Sequence, residues 1–299
     1  ARNIIAQISA PSNEQSQAGS PPAAIVFHAY YDSISVVPDA APGAEQACGA
    51  AVLLEFCRFL HNQAPADRPI YALFTSGHGQ AFYGMTHFVS ELRKTLEADA
   101  PDPASMLTRM GRPGLLVSLD LSSRSDRYGV FAVGRFRAQA EHKIRPKFSV
   151  LGAELAQYAA SFRSEDEKDT NAGAFVDCIN LTRGRHWWTY FPYQAPFESE
   201  LAVVAGIPAV TLATVNDDRR YVDTPGDRFS RLRLDLLEQQ VTARKGRRAG
   251  LGTIAKAITE WTGPFVSSPL TDAWASLKGR VVWLDQERNY TPNEPLTEA

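Results

Sequence analysis

Residues 26–60 read VFHAYYDSISVVPDAAPGAEQACGAAVLLEFCRFL. The unbroken apolar run AAIVFHAY (23–30) is the pattern of a strand covered on both faces. It ends on the polar tip YYDS, a Pro- and Gly-containing loop follows, and ACGAAVLLEFCRFLHNQ (47–63) then has helical spacing. Val52, Leu53, Phe56, Cys57 and Leu60 fall on one side of that helix. A buried strand that runs through a loop into a small-residue helix start is the opening unit of an α/β protein.

The same alternation continues outward. NIIAQI (3–8) alternates weakly and predicts an edge strand, and SAPSNEQSQAGSPP (9–22) is a turn-rich connector. RPIYALFTSG (68–77) predicts a second buried strand and AFYGMTHFVSELRKTLEA (81–98) an amphipathic helix. GLLVSLDLSS (114–123) reads as a strand, with DRYGVFAVG (126–134) as a neighbouring one. FSVLGAELAQYAASF (148–162) reads as a helix, SEDEKDTN (164–171) as a solvated loop and AGIPAVTLATV (205–215) as the last core strand. Residues 231–261 are largely helical, with a break near Gly246–Gly252. This spacing predicts an α/β sandwich with a mainly parallel central sheet over residues 1–264. Residues 265–299 change character and read as a C-terminal β-like segment, either a strand of the same domain or the start of another.

The chain has 299 residues, 44% of them hydrophobic, which is enough to bury a sizeable core. A net charge of −2 and a pI near 6.4 leave no basic footprint for nucleic acid. No apolar run approaches the ~20 residues that span a bilayer. The opening ARNIIAQISA has no signal-peptide pattern, and a start at Ala1 reads as a processed fragment. Cys48, Cys57 and Cys178 have no zinc-site spacing and read as buried free thiols. Cys48 at a helix start has the one setting that would favour a nucleophilic thiol, but no acid–base partner is identifiable beside it. Neither a Gly-x-Ser-x-Gly elbow nor a nucleotide-binding glycine loop occurs.

Five stretches in order carry a family likeness: AYYDS (29–33), PGAEQACGAAVLLEFCRFL (42–60), FTSGHGQAFYGMTHFV (74–89), LVSLDLSS (116–123) and PFESELAVVAGIPAVTLATVNDDRRYVDTPGDRF (196–229). Through them, residues 3–262 resemble the di-zinc aminopeptidases (metallopeptidase family 28). That family also includes glutamate carboxypeptidase and the transferrin-receptor and nicastrin ectodomains. The resemblance implies a three-layer α/β/α sandwich and, in an active member, two zinc ions with a glutamate general base. It also implies where those groups stand. The first His ligand falls on Tyr30, the bridging Asp on Gln46, the catalytic Glu on His78, and the adjoining Glu ligand on Gly79. Asp120 keeps a carboxylate, and the last His falls on Val222, or on Asp223 if the turn shifts by one.

Phenol and amide are poor substitutes for imidazole and a bridging carboxylate around two cations. Asp32, which in the family orients a ligand His, has none to orient. One rescue is a single zinc held among His28, Asp32, His78, Asp120 and Asp223. The apolar run around His28 favours instead a core histidine satisfied by backbone. His61, His87 and His142 read as surface residues. RGRHWWTYFPYQAPF (183–197) gathers aromatics and arginines, the residue types of binding hot spots. In the resembling family this segment borders the active-site mouth, so the resemblance implies that Trp187, Trp188 and Tyr190 stand at a cleft rim; the alternative is that Trp187, Trp188 and Phe191 cap the sheet.

The expectation is therefore a non-catalytic, peptidase-like domain without a metal cofactor. Its vestigial cleft would be lined by Tyr30, Asp32, Gln46, His78, Asp120 and Asp223, and a protein or peptide partner would bind at the rim. The alternatives are an active metallo-aminopeptidase with non-standard zinc ligands and a structural module supporting the C-terminal segment. The resemblance alone favours an extracytoplasmic setting.

Overall fold

Four runs of six residues, IVFHAY, IYALFT, LLVSLD and AVTLAT, bury every residue. Such runs must be covered on both faces, which is the condition for interior parallel strands. In the computed structural model they are β2 (Ile25–Tyr30), β3 (Ile70–Thr75), β4 (Leu115–Asp120) and β7 (Ala209–Thr214). The structure describes residues 2–9, 23–37, 39–62, 68–135, 141–162, 175–180, 189, 195–242, 249–261, 282–283 and 294–295. Trp187, Trp188 and Tyr190 lie outside these residues.

With β1 (Ile4–Ser9), β5 (Tyr128–Phe131) and β6 (Phe175–Asp177), the strands form one seven-stranded sheet in the order β1-β3-β2-β4-β7-β5-β6. The pairs β2–β3, β2–β4, β4–β7 and β5–β6 are parallel. β1 runs antiparallel to β3 at one edge, as its weak alternation implies. One expectation fails: β5 does not neighbour β4. The more apolar β7 inserts between them, and β5 pairs antiparallel with β7. A second short ladder, Val282–Trp283 against Glu294–Pro295, falls in the C-terminal segment.

The order fixes where the helices lie. From β2 the chain moves one way to β3, then crosses back over β2 to reach β4. Right-handed crossovers therefore set α1 (Ala47–His61) and α2 (Tyr83–Glu97) on opposite faces. α1 packs on β2 and β4, with Phe56 edge-on to Phe27 at 5.9 Å between ring centroids. α2 is joined on its face by α3 (Met106–Met110) and α6 (Ser199–Val204). After the short α4 (Glu141–Ile144), α5 (Ser149–Ala160) packs on β6 and on α8 (Leu251–Glu260), which also touches α1 and α7 (Leu234–Val241). α3, α6 and β6 are elements that the sequence reading did not pick out. Gly252, expected at a break, lies inside α8.

The reversal of direction at β2 opens a crevice at the carboxyl ends of β2, β3 and β4, the place where open α/β sheets bind ligands. α1 can approach the sheet there because Gly49 has no side chain: a Cβ would stand 2.7 Å from the Leu119 carbonyl oxygen. Gly49→Ala is expected to cost about 1–3 kcal/mol through this backbone clash. A lowered urea midpoint with an unchanged slope would register it, whereas an unchanged midpoint would refute the tight contact.

Candidate functional site

Each strand of the crevice delivers its last residues to one place. Tyr30 and Asp32 follow from β2, Thr75 and His78 from β3, Asp120 ends β4, and the turn after β7 carries Asp217 to Asp227. Three polar clusters result.

The first centres on Glu198, which the sequence reading missed. Its carboxylate is 3% exposed and accepts from His78 Nδ1 at 2.7 Å and from the Thr75 hydroxyl at 3.0 Å. His28 Nε2 stands 3.2 Å from the same carboxylate and 2.8 Å from Thr75 Oγ1, while its Nδ1 meets Ser118 Oγ at 2.9 Å. His28 is thus a core histidine, but side chains satisfy it where backbone was expected. Burial pushes the Glu198 carboxyl up, but the charge and hydrogen bonds of His28 and His78 outweigh burial and hold it down to about 2. Tyr30 stacks on the His78 ring at 3.8 Å, with 20° between the planes.

The second cluster joins the bridging-Asp position to the turn after β7. Gln46 Nε2 donates to Asp223 Oδ1 at 2.7 Å. Of the two residues at the last-ligand position it is therefore Asp223, not Val222, whose side chain meets Gln46. Burial raises the Asp223 carboxyl, with His78, Gln46 and Arg219 opposing.

The third is an ion pair. Arg219 Nη1 donates to Asp120 Oδ1, and Nη2 donates to the Asp120 carbonyl at 2.8 Å. The two side chains are 7% and 9% exposed. Asp217, which accepts from the Arg219 backbone N–H at 2.9 Å and the Ser122 hydroxyl at 2.5 Å, closes the arrangement from below.

Two further positions are committed to packing. Asp32 accepts from the backbone N–H of Gly77 at 2.7 Å and His78 at 3.3 Å, fixing a turn whose Gly77 has φ +78°. At Gly79, a Cβ would lie 2.4 Å from the Ile34 side chain, so Ile34 fills the space a glutamate there would need.

This donor set does not fit a pair of zinc ions. The retained carboxylate, Asp120, faces a guanidinium; Gln46 and Asp223 face each other; position 79 is blocked. The single-zinc rescue is not assembled either. Both His28 nitrogens are engaged in the core, Asp32 holds backbone, and Asp120 holds Arg219. Among the described residues, no group of three or more His, Cys, Asp or Glu side chains is arranged to hold a metal ion.

Cys48 does not gain from the start of α1. Burial, then Glu45 and Asp227, push its thiol up to about 12. Glu45, also missed from sequence, is 3% exposed and accepts from the Ser123 N–H and hydroxyl at 2.6 and 2.8 Å. Cys178 is buried, as expected, and Cys57 partly so. His61, His87 and His142 are exposed, also as expected. A cavity of about 570 Å³ lies elsewhere, between α2 and α6, and touches none of these residues.

Because the Glu198 carboxyl is depressed when folded, its contribution is complete above its ordinary value of 4.5 and fades as pH falls toward about 2. Glu198→Gln is expected to cost roughly 3 kcal/mol at pH 7, since it removes one partner of a buried charged cluster. Chemical denaturation from pH 7 to 3 should show wild type and variant converging at the acid end; a gap independent of pH would contradict the assignment.

Residues 3–175 match the family model for Peptidase family M28. The gamma-secretase component nicastrin has a similar fold, with a TM-score of 0.54 at 13% identity over 86% of this chain and 43% of that one. A zinc aminopeptidase from Bacillus subtilis aligns with a TM-score of 0.45 at 17% identity, over 79% of this chain and 46% of that one. This chain thus spans about half the length of those solved structures. A stretch of 131 residues is also 31% identical to protein-export protein SecB of Hydrogenovibrio crunogenus, covering 44% of this chain and 81% of that protein. That likeness and the family match point to different proteins. The family match spans β1 through the start of β6 in one ordered run and agrees with the nicastrin fold, so it decides the assignment. The chain belongs to Peptidase family M28.

Proposed function

We propose that this chain is a non-catalytic member of its family, a peptidase-like domain that serves binding or scaffolding within a larger protein, in an extracytoplasmic setting. The single observation that carries the reading is the Arg219–Asp120 pair. A guanidinium already supplies positive charge to the carboxylate that a zinc ion would need, and a buried Arg⁺ repels any cation brought beside it. The Gln46–Asp223 bond and the Ile34 side chain at Gly79 support the same reading. No helix among the described residues is long and apolar enough to cross a membrane. The aromatic segment with Trp187, Trp188 and Tyr190 adds, from sequence alone, a second region where a partner would bind.

The test is turnover and metal content measured together. The purified chain is expected to hold no stoichiometric zinc and to leave aminoacyl-p-nitroanilides uncleaved with zinc, cobalt or manganese added. Metal-dependent release of p-nitroaniline would replace this reading with that of an active metallo-aminopeptidase using non-standard ligands. In the same protein, Arg219→Met should lower stability by about 3–5 kcal/mol, because Asp120 is left buried and unpaired. Adding Asp120→Asn to that variant should recover part of the loss. Strictly additive effects of the two substitutions would contradict the pairing.

A further inference from the structure

The turn that supplies Asp223 to the cleft also builds a lip. Residues 217–235 hold five arginines and five aspartates, a balance that looks neutral in sequence. The structure spends the two signs unequally. Asp217 is taken by Ser122, Asp223 by Gln46 and Asp227 by the Glu45 N–H at 2.7 Å. Arg219 goes to Asp120, while Arg220 and Arg233 pair with Asp218 and Asp235. Two exposed arginines are left over. Arg228 reaches only the Pro225 carbonyl, at 3.1 Å, and Arg231 lies over the Tyr221 ring, 4.3 Å from its centroid. Neither has an acidic partner among the described residues.

Tyr221 carries a second guanidinium, that of Arg124, at 4.9 Å. Arg124 Nε is paired with Glu45 at 2.7 Å, but its Nη2 is buried without a protein partner. Between Arg228 and Arg231 stands Phe229, 72% exposed. Guanidiniums stacked on an aromatic ring lose less conformational freedom on meeting an anion, and they match a carboxylate with two parallel N–H donors. An exposed phenylalanine between them asks for an apolar neighbour.

We propose that this lip, Arg228, Phe229 and Arg231 braced on Tyr221, binds an acidic peptide segment of a protein partner. Its carboxylates pair with the two guanidiniums, and an adjoining apolar side chain covers Phe229. Spaced single carboxylates suit the site better than one dense anion such as a phosphate, because each guanidinium is a separate donor fork with buried aspartates close behind it. The proposal rests on reading the cleft as a binding surface, and it names the chemistry of what that surface takes.

The probe is a terminally blocked peptide of alternating Glu and Leu, compared with its Gln–Leu counterpart, titrated into the full chain and followed by fluorescence anisotropy. The Glu peptide should bind at least about tenfold more tightly than the Gln peptide, and more weakly as salt rises. Arg228→Glu with Arg231→Glu should abolish that preference, and Phe229→Ala should weaken both peptides by roughly three- to tenfold. These side chains are exposed, so the variants should melt with wild type. Equal binding of the two peptides, an unaffected double charge reversal, or no binding up to about 1 mM would each overturn the lip. Blocked termini keep the probe from acting as an aminopeptidase substrate, so the two readings fail separately. Metal-dependent turnover of nitroanilides with the Glu peptide still selected at the lip would sink only the non-catalytic reading. A silent protein that ignores the Glu peptide would sink only the lip.

Discussion

At the carboxyl edge of this sheet, carboxylates converge because the strand order makes them converge, and something positive must balance them. Asp120 and Asp217 are buried, as are Glu45, Glu198 and Asp227. An unpaired buried carboxylate costs several kcal/mol even after relaxation. In an active di-metal site the balancing charge is a pair of ions. At Asp120 the balancing charge is covalently attached: Arg219 reaches down from the turn after β7 and places its fork on the carboxylate and the backbone carbonyl. Its backbone is turned by a positive φ of 45°, held by the bond from its N–H to Asp217. A guanidinium tethered in this way brings its charge at no cost in free-ion concentration and cannot dissociate. It is also directional, so it fixes Asp120 through both Oδ1 and the backbone carbonyl.

The other acids follow the same logic with weaker partners. Glu198 is balanced by two imidazoles, and Glu45 by Arg124 and the Ser123 N–H. Asp223 and Asp227 rely on neutral donors, and burial moves their carboxyls upward accordingly. The cleft is thus graded, from carboxylates held by arginine or imidazole under the strands to amide- and backbone-partnered ones on the turn. Positive charge left unbalanced appears outside that gradient, on Arg228 and Arg231, because the acids next to them in sequence are drawn inward.

The fold was legible because its determinants are local. Six-residue apolar runs and intervening amphipathic segments announce parallel strands and covering helices before any long-range contact is known. β5 was misplaced for the complementary reason: which strand lies next to it depends on where β7 inserts, a long-range choice that the DRYGVFAVG pattern does not contain. The site was legible only where a family position could be counted off, as at Tyr30, Gln46, His78 and Asp120. Their partners were not. Glu198 lies 120 residues from His78, and Arg219 lies 99 from Asp120. Arg219 sits in the run DDRR, whose composition is that of a solvated turn. Ile34 at Gly79 left no trace either, since a missing side chain and the side chain that fills its place are separate facts in a sequence.

The substitutions also explain one another. Replacing a bridging Asp by Gln46 removes a negative charge, while placing Asp223 at the last-ligand position adds one where a neutral imidazole would stand. The two changes offset in charge, and the amide and carboxylate bond each other. Gly79 discards a ligand carboxylate, and Ile34 occupies the space. His78 puts an imidazole at the position counted off as the family's Glu, and its Nδ1 meets Glu198. Within each pair the two side chains occupy each other's polar atoms or space, so changing one disturbs its partner. The coupling among these pairs, more than any one substitution, separates this cleft from the family's di-metal pattern.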